Sequence, residues 1–76
     1  MAGRQGVTVE PDFYAVLEVA PHARAGVIEA AFVVLREEAA RDPDDGAVGW
    51  LAVLNQAHAV LGDPQRRAAY DRLRAP

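Results

Sequence analysis

The chain has 76 residues, about half of them apolar (51%), and a formal net charge of −3, which bounds it to one domain with a modest core. It contains no cysteine, so disulfides and thiolate metal sites are excluded, and its two histidines, His22 and His58, are too far apart in sequence to suggest zinc. Residues 1–45 carry nine acids against four arginines and residues 46–76 two acids against four arginines, a balance without the basic surface expected of a nucleic-acid binder.

Met1 to Glu10 is a small, polar lead with Gly3 and Gly6. It reads as a flexible tail, with the domain proper expected over 11–76. Pro11-Asp12 marks a start, and Asp12 is positioned to cap a short helix over about 12–18. Phe13, Val16 and Leu17 fall at i, i+3 and i+4 and share a face. Pro21 is expected to end that segment, with residues 18 to 25 as a connection.

The second helix is expected over about 25–40. Ile28, Phe32, Leu35 and Ala39 form one face at helical spacing, and Val33 and Val34 widen the apolar surface. The N-terminal cap is poor, because Arg24 and Gly26 stand where Ser or Asp would help. Ala39 to Gly46 then bends the chain: Pro43 lacks a backbone donor, and Asp44 or Asp45 can cap the next helix.

The third helix is expected over about 46–61, with Leu51, Leu54, His58 and Leu61 on its main face and Trp50, Val53 and Val60 beside it. Gly62 suits a left-handed helix stop, Asp63 a cap, and Pro64 the first turn of a fourth helix over about 64–73. There Ala69, Tyr70 and Leu73 are expected inward and Arg66, Arg67, Arg72 and Arg74 mostly outward, with Arg67 paired to Asp71. No apolar run reaches the length of a membrane span and the N-terminus lacks the apolar core of a signal peptide, so no membrane partner and a cytoplasmic location are expected.

Four stretches together are specific. Asp12-Phe13-Tyr14-x-x-Leu17-x-Val19 resembles the opening Asp-Tyr-Tyr-x-x-Leu-Gly-Val of the J-domain family, the DnaJ-like co-chaperones. Ile28-x-x-Ala31-Phe32-x-x-Leu35 is similar to its Ile-x-x-Ala-Tyr-x-x-Leu. The run from Leu54 through Asn55, Gln56, Ala57 and His58 to Asp63-Pro64 resembles its Ile-Asn-Glu-Ala-Tyr-Glu-Val-Leu-x-Asp-Pro, and Gln65-Arg66-Arg67-Ala68-Ala69-Tyr70-Asp71 its Gln-Lys-Arg-x-x-Tyr-Asp. The resemblance covers residues 12 to 74. It implies an all-α fold of two long antiparallel helices flanked by two short ones, the elements that hydrophobic period also places.

The departure lies at the bend, where J-domains carry His-Pro-Asp. In that family this motif, with a basic face on the second helix, docks on the heat-shock ATPase chaperone and promotes ATP hydrolysis. Three alignments stay open. Counting from Ile28 and Leu35 puts the motif at Ala40-Arg41-Asp42; a two-residue slide gives Asp42-Pro43-Asp44; a third reads Arg41 to Asp45 as the tail after a lost motif. All three lack the histidine. Along the exposed stripe of the second helix stand Glu29, Val33, Val34, Glu37 and Glu38, with Arg36 the one basic residue among them.

Val33 and Val34 are either extra core and harmless surface or, with Trp50, a protein-binding patch. His58 is expected as a packing histidine; no serine or cysteine accompanies it, so no catalytic set emerges and no enzyme is expected. Asp42, Asp44 and Asp45 lack the spacing of a calcium loop, and no cofactor or metal is implied. The expected partner is a protein, a heat-shock ATPase chaperone or its client, or a second copy of the chain. The resemblance and its departures imply a protein-interaction module related to co-chaperones that does not stimulate the ATPase chaperone; the alternatives are a stand-alone structural or assembly module that reuses the fold, or a weakly active atypical co-chaperone using Asp42-Pro43-Asp44.

Overall fold

The computed structural model describes residues 12–41 and 45–74. They form four helices: α1 (Phe13–Val16), α2 (Ala25–Arg41), α3 (Asp45–Leu61) and α4 (Pro64–Arg74), with no strand among the described residues. The fold is all-α and J-domain-like, with α2 and α3 as the long antiparallel pair. The expected tail over 1–10 and the tip of the bend, Asp42 to Asp44, lie outside the described residues. None of the described helices is long and apolar enough to cross a membrane.

Helix α3 packs against α1, α2 and α4 and is the centre of the fold. Leu54, Ala57 and Leu61 on one of its faces are buried. They meet Ile28 and Phe32 of α2, Phe13 and Tyr14 of α1, Leu17 just beyond it, and Tyr70 of α4 in a single core cluster. Full burial of each of Leu17, Ile28, Leu54 and Leu61 stabilises by about 1.5–3 kcal/mol. Val33, Leu35, Leu51 and Val60 lean on the cluster from its edge.

The caps agree with the sequence reading. The Asp12 carboxylate accepts from the Tyr14 and Ala15 amides at 3.1 and 3.4 Å. The Asp63 carboxylate accepts from the Gln65 and Arg66 amides at 2.9 and 3.2 Å, and α4 begins at Pro64 as expected.

Three expectations need correction. First, α1 is shorter than 12–18, and Pro21 does not end it. Glu18 turns left-handed at φ 58°, so the Glu18 amide donates to Ala15 O and the Val19 amide to Tyr14 O, closing the helix by a left-handed stop. The family resemblance carries glycine at this position. Second, Gly62 has no positive φ. Its amide donates to His58 O at 2.8 Å, and a Cβ there would lie 2.7 Å from that oxygen and 3.3 Å from the His58 ring. Close approach, rather than backbone twist, is what requires glycine there. Third, only Tyr70 of the three inward candidates on α4 is buried; Ala69 is exposed and Leu73 is 71% exposed, while Arg67 turns inward. The inward face of α4 is set by Tyr70 and Arg67, which lie close in angle, and Ala69 and Leu73 fall to the other side.

This packing sets two stability outcomes. Leu54→Ala should cost about 2–5 kcal/mol in urea unfolding, whereas Val48→Ala, on the exposed start of α3, should change stability by no more than about 0.5 kcal/mol. Glu18→Gly should stabilise the chain by about 1 kcal/mol, because glycine carries no penalty in the left-handed region; an unchanged or lower urea midpoint would contradict the left-handed assignment.

Candidate functional site

The surface with the least explained composition is the outer side of α2 and the segment that leads into it. That segment is fixed from α4. The Arg67 guanidinium donates through Nε to the Tyr14 hydroxyl at 3.0 Å and through one terminal nitrogen to the carbonyls of Pro21 and Ala23 at 3.0 and 2.7 Å. The Tyr14 hydroxyl in turn donates to the Asp71 carboxylate. Arg67 thus serves α1 and the connection rather than the ion pair with Asp71 expected one helical turn away. The Phe13 amide donates to the Tyr70 hydroxyl at 2.9 Å, and the Phe13 and Tyr70 rings stack with centroids 5.1 Å apart. Arg74 lies over the Tyr14 ring at 5.0 Å and pairs with Asp12 at 3.5 Å.

This network explains why Tyr14 is buried although the apolar spacing of α1 gave no place for it in the core. Its ring packs in the core while its hydroxyl is held by Asp71 and Arg67. Burial pushes the Tyr14 pKa above its ordinary value of 10.0, the bond to Asp71 adds to the rise, and Arg67 opposes it.

With the connection held down, Leu17, Glu18 and Val19 stand beside α2. Together with Val27, Ala30, Ala31, Val34 and Leu35 they line an open, mostly apolar groove of about 360 Å³. Val27 and Val34 are 51% and 52% exposed. Val34 therefore belongs to the groove, while Val33 leans half-buried on the core and does not line it. Trp50, 38% exposed on α3, does not line it either. The groove is built instead around Val27, which sequence reading passed over. Its signal was present: Val27, Ala30, Ala31 and Val34 fall at i, i+3, i+4 and i+7, a second apolar stripe beside the one that enters the core. What the sequence withheld was the left-handed turn at Glu18 that brings Leu17 and Val19 alongside.

The charged residues of α2 divide into two groups. Glu29 reaches His58 of α3, Oε1 lying 2.7 Å from Nε2, so the ring donates to the carboxylate. The His58 ring also stacks on Phe32 with centroids 4.0 Å apart. His58 is thus a half-buried packing residue that ties α3 to α2. Arg36 also packs on Phe32, with its guanidinium 5.0 Å from the ring centroid. Glu37 and Glu38 are exposed and face solvent near the end of the helix. Ala40 and Arg41 are exposed in its last turn, and Asp42, Pro43 and Asp44 lie outside the described residues.

Comparison with known proteins supports a J-domain-like region. The chain is 38% identical over 63 residues to the chaperone protein DnaJ of Acetobacter pasteurianus, and 39% identical over 64 residues to those of Acidithiobacillus ferrooxidans and Caulobacter vibrioides. These matches take in 79–80% of this chain. They span only 17% of the length of each relative. No family model and no solved structure matches the chain.

The Tyr14 network makes a pH prediction. The folded chain keeps a phenolic proton that the unfolded chain releases near pH 10, so the stabilisation is complete below that pH and is lost as pH rises through the higher folded-state value. Urea midpoints measured from pH 8 to above 10 should therefore fall. The fall should be shallower in Tyr14→Phe, which should also cost about 1 kcal/mol at neutral pH through the lost hydroxyl bonds.

Proposed function

We propose that the chain is a cytoplasmic, J-domain-like protein-interaction module, an adaptor or regulator related to co-chaperones, that does not stimulate the heat-shock ATPase chaperone. It acts by binding protein, not by catalysis. The likeness to DnaJ chaperones over residues of the helical domain supports the co-chaperone relationship. The loss of stimulation rests chiefly on one observation: the outer side of α2 presents Glu37, Glu38 and apolar Val27 and Val34 to solvent, with Arg36 and Arg41 as its exposed cations, where a docking face would need a continuous basic stripe. An acidic partner surface would meet like charge there, which opposes association. The absence of histidine from Ala39 to Gly46 supports the same reading independently.

Single-turnover ATP hydrolysis by a bacterial heat-shock ATPase chaperone, one that responds to an intact DnaJ, tests this reading. The wild-type chain should leave the hydrolysis rate unchanged. Asp42→His alone restores the His-Pro-Asp order and should remain inactive, because the acidic side of α2 is untouched. Combining it with Val34→Lys, Glu37→Lys and Glu38→Lys should produce measurable stimulation. Stimulation by the wild-type chain comparable to that of an intact DnaJ would overturn the reading in favour of an atypical active motif at Asp42-Pro43-Asp44.

A further inference from the structure

Two exposed features of the chain are complementary, and neither is used by the network around Tyr14. The first is the groove beside α2, with Leu17, Val19, Val27, Ala31 and Val34 as its apolar lining and Glu18 among its walls. Glu38 lies one turn beyond Val34 on the same side of the helix, Glu37 flanks it, and exposed Arg41 follows one turn later, so the end of the groove carries two carboxylates and one guanidinium. The second is the outer ridge of α4. Ala69 and Leu73 lie one turn apart and are exposed, Leu73 the most so of the large apolar residues. Arg66 and Arg72 are exposed on either side of that pair. The inward face of the same helix is already satisfied by Tyr70, Arg67 and Arg74.

We propose that the α2 groove receives the α4 ridge of a second copy of this chain, with Leu73 seated against Val27 and Val34 and the flanking Arg66 and Arg72 facing Glu18, Glu37 and Glu38. Charge selects this occupant: Glu18, Glu37 and Glu38 outnumber Arg41 along the groove, which leaves carboxylates to meet an apolar ridge edged by guanidiniums, and Arg is the cation best suited to bidentate contact with carboxylates. Dimensions agree as well. From Arg66 to Leu73 the ridge is about 10 Å long, and from Val27 to Glu38 the groove side of α2 is about 16 Å long. Groove and ridge lie on different helices of each copy, so the contact is head-to-tail. The interface is small, so association is weak and concentration-dependent. The contact does not depend on the co-chaperone reading, since it uses neither the bend nor any chaperone.

Sedimentation velocity of the full chain, from micromolar to millimolar concentration, tests the proposal. The weight-average sedimentation coefficient should rise with concentration. The association should weaken severalfold when NaCl is raised from about 0.05 to about 0.5 M, which shortens the screening length. Leu73→Glu and Val34→Arg should each weaken association about tenfold or more by placing like charge in the contact. Both positions are exposed, and unchanged circular dichroism and urea midpoints would verify that the variants fold.

Mixing provides the decisive measurement. Leu73→Glu keeps an intact groove and Val34→Arg an intact ridge, so the two variants, each monomeric alone, should form a 1:1 heterodimer that grows no further. A wild-type chain that stays monomeric throughout overturns the proposal, as does a mixture without heterodimer. A monomeric chain whose groove resonances shift only on addition of an arginine- and leucine-containing peptide also overturns it, by assigning the groove to another protein.

Discussion

The guanidinium of Arg67 is the interaction on which the arrangement of the rest depends. From α4 it donates to the Tyr14 hydroxyl and to the carbonyls of Pro21 and Ala23, reaching α1 and the connection with one side chain. Those carbonyls belong to a loop that no helix or sheet satisfies, so they need a donor from elsewhere. A planar cation with several donors can serve a hydroxyl and two carbonyls at once, which lysine cannot do with the same geometry. The result is a connection pinned against the body of the molecule, so that Leu17 and Val19 become one wall of the α2 groove.

The aromatic core and the polar network are one structure. Phe13, Tyr14 and Tyr70 share ring contacts while their neighbours Asp12, Arg67, Asp71 and Arg74 serve the polar atoms around them. Among the described residues no buried side-chain nitrogen or oxygen lacks a partner. Where α3 meets α2, His58 performs a smaller version of the same task, stacking on Phe32 while its ring nitrogen holds Glu29. The long hairpin is joined at both levels: by Ile28, Phe32 and Leu54 inside, and by a polar contact at its edge.

The family resemblance is carried largely by residues with these structural tasks. Asp12 caps α1, Leu17 is fully buried, Arg67 holds the connection, and Tyr70 and Asp71 engage α1. Preserving them preserves the helical frame, and it places no demand on the outer surface of α2. There the chain carries Glu37, Glu38, Val27 and Val34 beside Arg36 and Arg41. A frame and a docking face are set by different side chains of the same helix, and a sequence can keep one while changing the other.

The sequence by itself determined the helical frame. Apolar period, the Asp12 and Asp63 caps and Pro64 placed four helices, with the long pair within a residue of their observed ends, because helix formation and capping are local. It also showed that residues 39–46 hold no histidine and that α2 carries Glu29, Glu37 and Glu38 against Arg36 and Arg41, which are matters of composition. Only the tertiary structure decided the burial of Tyr14, the inward turn of Arg67 and the exposure of Leu73, because each depends on partners more than 40 positions away or on the angle at which α4 meets the body. The groove belongs to the same class. Its α2 stripe was written in the spacing of Val27, Ala30, Ala31 and Val34, but its other wall exists because a non-glycine residue, Glu18, adopts a left-handed backbone that helical period cannot announce.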